Sequence, residues 1–338
     1  MAGTLTIAAV RAAAKEKAFF GALHAQVEQC SKKEGSNGKP FWELKLRDGG
    51  DSLTLRVWSD SPNVPVCEGL DPTSCVAVEG EFYMNGAFGL DARRWELRLL
   101  YPDEKLALFE GSAEYRAAIE RDYADVERMV ETIEDPRLAS LCRRYLEMCG
   151  QRFRRAAAAR VNHHARRGGL LQHTAQMMRS AVAVCSVYPR LNRDLLLTGV
   201  LFHDCGKLWE MCPPEEGFAI PHDLRGELMG HINIGVEVVN TLWRELPRQE
   251  WETLSPTSDE VRLHLIHLVL AHHGELEYGS PVVPKTPEAI ALHYIDNLDA
   301  RLEMIFQAYD SGREVAPGIF DRVRPLGSAP VAPLPRKS

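Results

Sequence analysis

Five histidines and two aspartates stand in an order that scattered polar residues rarely give: His173, His203, Asp204, His231, His272, His273 and Asp296, in the contexts GGLLQHT, FHDCGK, MGHI, AHHGE and HYIDN. Seven N/O ligands are too many for one first-row ion and suit two ions that share a carboxylate. Histidine mixed with carboxylate, without thiolate, favours Mn, Fe, Co, Ni or Zn in a catalytic setting. Two such ions close together hold a hydroxide against a phosphorus atom. The residues therefore predict a phosphohydrolase.

The elements that must position them read as helices. His203 and Asp204 fall inside the apolar run DLLLTGVLFHDCGK, where neighbouring positions point about 100° apart and can reach different sides of one centre. Lys207, three residues after Asp204, shares its helix face and is expected to meet a phosphate oxygen. His173 follows Gly168-Gly169 at a helix start, and His231 starts another helical run. His272 and His273 close a helix at Gly274, which predicts both rings near solvent. Asp299, one turn after Asp296, either supports a ligand or pairs with an arginine. His222, His264, His267 and His293 fit no ligand position and read as ordinary histidines.

The 338 residues allow two domains, and their periods differ. From about 15 to 101 apolar residues alternate, with Trp42, Leu44 and Leu46, then Leu53, Leu55 and Val57, then Val76, Val78, Phe82 and Met84 on one side. Turn residues separate the runs, as in Asp48-Gly49-Gly50-Asp51 and Asn85-Gly86. Five short strands predict a small OB-like barrel. From 104 the period is helical, predicting a linker over 104–150, an all-α domain over 151–310 and a Pro-rich, disordered tail over 311–338. Charged content of 26% and a net charge of −7 exclude a protein that coats nucleic acid by bulk attraction. Eight cysteines without a CxxC pair, and no apolar run long enough for a signal or a membrane span, predict a cytoplasmic protein with no membrane partner.

These motifs resemble the HD-domain superfamily of metal-dependent phosphohydrolases, and among them the dinuclear members. The resemblance implies one ion on His173, His203, Asp204 and Asp296, a second on Asp204, His231, His272 and His273, and two divalent ions, manganese first. A barrel followed by a helical linker and an HD domain further resembles the YhaM family of 3′→5′ exoribonucleases. NGKPFWELKLRD, NHH at 162–164, GGLLQHT and HYIDNLDAR carry that likeness over roughly 15 to 310. It implies exonucleolytic hydrolysis of single-stranded RNA, with DNA a second candidate, by a metal-bound hydroxide and with Asp204 and Lys207 in the chemistry.

Alternation turns Phe41, Lys45, Arg56 and Trp58 outward, the aromatic-plus-cation composition of a strand-binding platform. The bland alternative has Trp58 closing the barrel end and Phe41 packing on the linker. Between 143 and 167 eight arginines face one glutamate, and Arg154, Arg155, His163 and His164 from this stretch are candidate phosphate contacts. Two other functions compete: a nucleotide or cyclic-dinucleotide phosphohydrolase with the barrel as regulator, and a nucleic-acid-binding protein with an inactive HD fold. A homo-oligomer stays open.

Overall fold

A computed structural model of the chain describes residues 4–35, 38–86, 89–160, 164–311 and 314–334. They form two compact units, residues 1–117 with 213–220 and residues 118–212 with 221–338.

The first unit begins with helix α1 (Ile7–Glu16), which the alternating pattern does not announce. Thr6 Oγ1 caps it by accepting from Ala9 N at 3.1 Å, and its apolar positions Ile7, Val10 and Ala14 are buried with the sheet residues. Strands β1 (Phe19–Glu34), β2 (Pro40–Arg47), β3 (Ser52–Trp58), β4 (Cys75–Asn85) and β5 (Gly89–Leu99) make one antiparallel sheet in the order β3-β2-β1-β4-β5. Trp42, Leu44 and Leu46 pair across the ladder with Val57, Leu55 and Leu53, and all six are buried, as period two requires. Met84, at the far end of β4, is 39% exposed rather than buried.

Among the described residues no ladder joins β3 to β5, so the OB-like barrel is partly open. Asn63, at the start of helix α2 (Val64–Glu68), bridges toward β5. Its Nδ2 donates to Trp95 O and its Oδ1 accepts from Leu97 N, both at 3.0 Å, so a side-chain amide satisfies backbone groups there. Residues 213–220 join this unit through Phe218, whose ring lies 5.2 Å from that of Phe109 and whose N donates to Gln26 Oε1 at 2.8 Å.

The helical run expected to continue from 104 breaks at Gly111-Ser112 into α3 (Pro102–Glu110) and α4 (Ala113–Val130). The second unit then stacks α5 (Pro136–Phe153), α6 (Gly169–Val187), α7 (Arg193–Phe202), the single turn α8 (Lys207–Glu210), α9 (Leu224–Glu245), α10 (Ser258–Ala271) and α11 (Pro287–Ser311). Side-chain caps set the starts: Asn192 Oδ1 accepts from Leu195 N at 3.0 Å, Asp223 Oδ1 from Gly226 N at 2.8 Å, and Thr257 with Glu260 forms a capping box on α10. Buried aromatics such as Tyr145 and Phe202, with ring centroids 4.9 Å apart, fill the middle. Past α11 the Pro-rich segment is not featureless: β6 (Glu314–Ala316) and β7 (Ile319–Phe320) pair, and Tyr309 Oη donates to Val331 O at 2.8 Å. These local pairings need no hydrophobic period, which is why the sequence pattern does not reveal them.

Candidate metal centre

The second unit brings His173, His203, Asp204, His231, His272, His273 and Asp296 together around one carboxylate. Helix α7 ends at Phe202, and His203 to Gly206 form a tight turn rather than continuing the helix. Cys205 N donates to Phe202 O and Lys207 N to Asp204 O, three-residue bonds that swing Asp204 inward. Two glycines permit the arrangement. A Cβ on Gly206 would lie 2.0 Å from the carbonyl oxygen of His231, and Gly230, with φ of 69°, breaks α9 just before His231 so that the ring turns toward Asp204.

Asp204 is 3% exposed and splits its two oxygens. Oδ1 lies 3.4 Å from His231 Nε2 and 3.6 Å from His272 Nε2. Oδ2 lies 3.3 Å from His203 Nε2, 4.0 Å from His173 Nε2 and 2.6 Å from Lys207 Nζ. Asp296 Oδ1 completes that second side, 3.3 Å from His173 Nε2. Ligand atoms of His231, His272 and His273 lie within 4.8 Å of one another, as do those of His173, His203 and Asp204.

The outer nitrogens are fixed. His203 Nδ1 donates to Val200 O and His272 Nδ1 to Val269 O, each at 2.7 Å, and His273 Nδ1 donates to Tyr278 O at 2.8 Å. His173 Nδ1 lies 2.7 Å from Asp299 Oδ2, and His231 Nδ1 lies 3.4 Å from Glu210 Oε2. A carbonyl can only accept, so Nδ1 carries the proton and the Nε2 lone pair of His203, His272 and His273 is left for a cation. Burial drives His272 far below the usual imidazole range, with His273 and His203 adding to it, so its ring is neutral. Burial alone would raise Asp204, but Lys207 and then His203 hold it well below the carboxylate range.

The residues fit metal ions. Asp204 Oδ1, His231 Nε2 and His272 Nε2 are buried, converge, and have no hydrogen-bond partner. Each orphaned buried polar atom costs about 1–3 kcal/mol, a cost that a cation between them removes. The donor set, imidazole and carboxylate only, is that of a divalent transition metal.

Several expectations need correction. His272 is 1% exposed, not near solvent, because α10 ends inside the unit. His164 is fully buried, with Nε2 3.0 Å from Asp299 Oδ2, so it faces a supporting carboxylate instead of substrate; His163 lies outside the described residues. The arginine-rich stretch is largely occupied by the fold. Arg154 lies over the Tyr123 ring at 3.7 Å and meets Glu120 at 3.4 Å, Arg143 pairs with Glu131, and Arg166 with Glu303 at 2.8 Å. Arg155 is half-buried.

In the first unit Phe41 and Trp58 are cross-strand partners with ring centroids 5.1 Å apart, and Arg56 lies 6.0 Å from the Phe41 centroid on the same face. Trp58 is 39% exposed, as expected, but Phe41, expected to face outward, is buried at 8% beneath it because the two rings pack across the strand pair. Lys45 pairs with Glu28 at 2.9 Å. The supporting carboxylates Glu210 and Asp299 carry roles that spacing alone did not fix, although Asp299 stands one helical turn beyond Asp296.

An HD domain family model matches residues 170–301, the segment that holds all seven candidate ligands. The 3′-5′ exoribonuclease YhaM of Geobacillus sp. (strain WCH70) is 33% identical over 302 residues, covering 88% of this chain and 86% of that protein. The chain belongs to the YhaM family. The proteins of the same name from Bacillus pumilus and Bacillus licheniformis are 32% and 33% identical over 300 residues, each covering 88% of this chain and 89% of the relative. Family membership and the converging His/Asp cluster agree on a centre able to hold divalent metal. Among the described residues no helix is long and apolar enough to cross a membrane.

Proposed function

We propose that the chain is a metal-dependent 3′→5′ exoribonuclease that acts on single-stranded RNA. The observation that carries this reading is the Asp204 carboxylate, which offers one oxygen to His231 and His272 and the other to His203 and His173 in a member of the YhaM family.

In this proposal His173, His203, Asp204 and Asp296 hold one ion, and Asp204, His231, His272 and His273 the other, with manganese the first candidate. Bound there, such ions supply Lewis acidity at a phosphoryl oxygen and lower the pKa of water. Asp299, Glu210 and the carbonyls of Val200, Val269 and Tyr278 hold the imidazoles in one orientation, so no reorganisation is needed during reaction. Lys207 keeps Asp204 ionised through one N–H and has two further donors for a phosphate oxygen. Residues 15–101 serve as the strand-binding domain, 104–150 as a linker and 151–310 as the phosphohydrolase domain, with Trp58 offering stacking surface. Eight free thiols suit a reducing compartment, and we place the enzyme in the cytoplasm.

The test is incubation of metal-reconstituted protein with 5′-labelled single-stranded RNA, with the matching DNA and with free nucleotides. A ladder that shortens from the 3′ end supports the proposal. Hydrolysis of nucleotides with intact RNA would transfer the chain to the nucleotide-phosphohydrolase reading.

A further inference from the structure

His164 stands at a strained place in the chain. Its φ is 49°, a left-handed value that a non-glycine residue rarely takes and that persists only where its surroundings hold it. Here they do. Its carbonyl accepts from Arg166 N at 2.8 Å and from Ala158 N at 3.2 Å. Gly169 leaves room for that same carbonyl, since a Cβ there would lie 2.0 Å from the His164 oxygen. The ring so placed is fully buried.

That ring is aimed at one atom. His164 Nε2 lies 3.0 Å from Asp299 Oδ2, the oxygen that also meets His173 Nδ1 at 2.7 Å. A carboxylate oxygen only accepts, so both rings donate to it. His173 comes from α6, Asp299 from α11, and His164 from the turn that leads into α6. On the other side of the ring Glu303, one helical turn beyond Asp299, places Oε1 3.8 Å from His164 Nδ1 and accepts from Arg166 Nη1 at 2.8 Å. Gln307 Nε2 donates to that oxygen at 3.1 Å, and Arg166 donates in turn to Gln172 on α6. The turn that carries His164 is thus fastened to α11 at two carboxylates and to α6 at Gln172.

A carboxylate held by one donor rotates about its Cβ–Cγ bond, whereas two donors that converge on one oxygen fix its plane. A fixed Asp299 keeps His173 donating through Nδ1 and leaves its Nε2 toward Asp296 and Asp204, at 3.3 and 4.0 Å. We propose that His164 is a positioning residue of the metal centre, acting through Asp299 to orient His173 for the ion on that side. The inference deepens the proposed metal centre and rests on it.

The test is calorimetric titration of the metal-free protein with Mn²⁺. His164→Leu, which removes the donor, should weaken binding on the His173 side by about tenfold and leave the His231 side unchanged. His164→Gln, whose terminal amide nitrogen reaches the place of Nε2, should recover most of that loss. In an Asp299→Ala background His164→Leu should cost nothing further, because the two residues act through one link. At saturating Mn²⁺ the KM of His164→Leu for single-stranded RNA should match that of the unchanged chain, which a lost phosphate contact would not allow. If His164→Leu fails to fold, His164→Asn, polar but too short for Asp299, takes its place. Equal affinities in the variant and the unchanged chain, losses at the two residues that add, no recovery in His164→Gln, or a raised KM overturn the proposal while the two-ion centre stands. An unchanged chain that binds no Mn²⁺ overturns the centre itself, and this proposal with it.

Discussion

The ammonium of Lys207 lies 2.6 Å from Oδ2 of Asp204, while the other oxygen of that carboxylate faces His231 and His272. A cation thus already sits on the central ligand. In the proposed function Lys207 holds this carboxylate with one donor and would turn its other two to a substrate phosphate. Lys207→Ala should leave metal content equal or raised and lower turnover by about 30- to 1000-fold, the loss of about 2–4 kcal/mol from one charge-assisted contact. Elemental analysis beside single-turnover kinetics checks both halves, and loss of metal would refute the account.

Asp204→Ala should strip metal from both positions, because among the described residues no other carboxylate offers an oxygen to each histidine set. His231→Ala should retain the ion on His173, His203 and Asp296. Metal-to-protein ratios distinguish the two outcomes; two ions bound to Asp204→Ala would end the shared-carboxylate reading.

Asp299 accepts from His173 Nδ1 and His164 Nε2 through the same oxygen, Oδ2. Burial alone would raise its pKa, but these two rings bring it down to about 2. Asp299→Asn should weaken metal binding on the His173 side by about 10- to 100-fold while sparing the His231 side, as loss of an orienting partner does. Calorimetric titration of the metal-free protein resolves the two affinities.

The convergence of the seven histidines and aspartates was legible because each carries its chemistry in its own side chain and its immediate context. Their supports were not, since Glu210 reaches His231 and Asp299 reaches His164 only after distant helices pack. The same limit explains the arginines of 143–167. Three arginines of the basic run meet Tyr123, Glu120, Glu131 and Glu303, partners that arrive from elsewhere in the chain. The sheet was legible because period two fixes faces, whereas the Asn63 bridge to β5 depends on a contact 34 residues away.

Stability should depend on pH through Asp135, which caps α5 and holds the buried guanidinium of Arg137 at 2.7 Å. Burial would raise this carboxyl, but hydrogen bonds from Arg137 and the Leu138 amide leave it below its usual value. A depressed folded pKa means the stabilisation is present above the unfolded value near 3.8 and disappears as pH falls through the folded one. Asp135→Ala should cost about 3–5 kcal/mol at neutral pH by stranding Arg137. Urea unfolding at neutral and strongly acidic pH should show that gap closing in acid; a constant gap would mean that the pair contributes little.

Replacing the exposed Trp58 by alanine should leave hydrolysis of a small diester intact and shorten each run on long RNA, since stacking contributes about 1–3 kcal/mol per base. Product ladders with unlabelled competitor added after binding report it. Identical ladders would remove Trp58 from strand binding.

Gly206 has no functional group, yet a saturation scan should score it beside the ligands. The carbonyl of His231 occupies the place of its missing side chain, so even alanine must push that backbone away and carry an imidazole off Asp204 with it. In a fitness map the glycine of HDCGK would pass for a catalytic residue, and the distinction would appear only in the metal count, which should fall on one side of the centre alone.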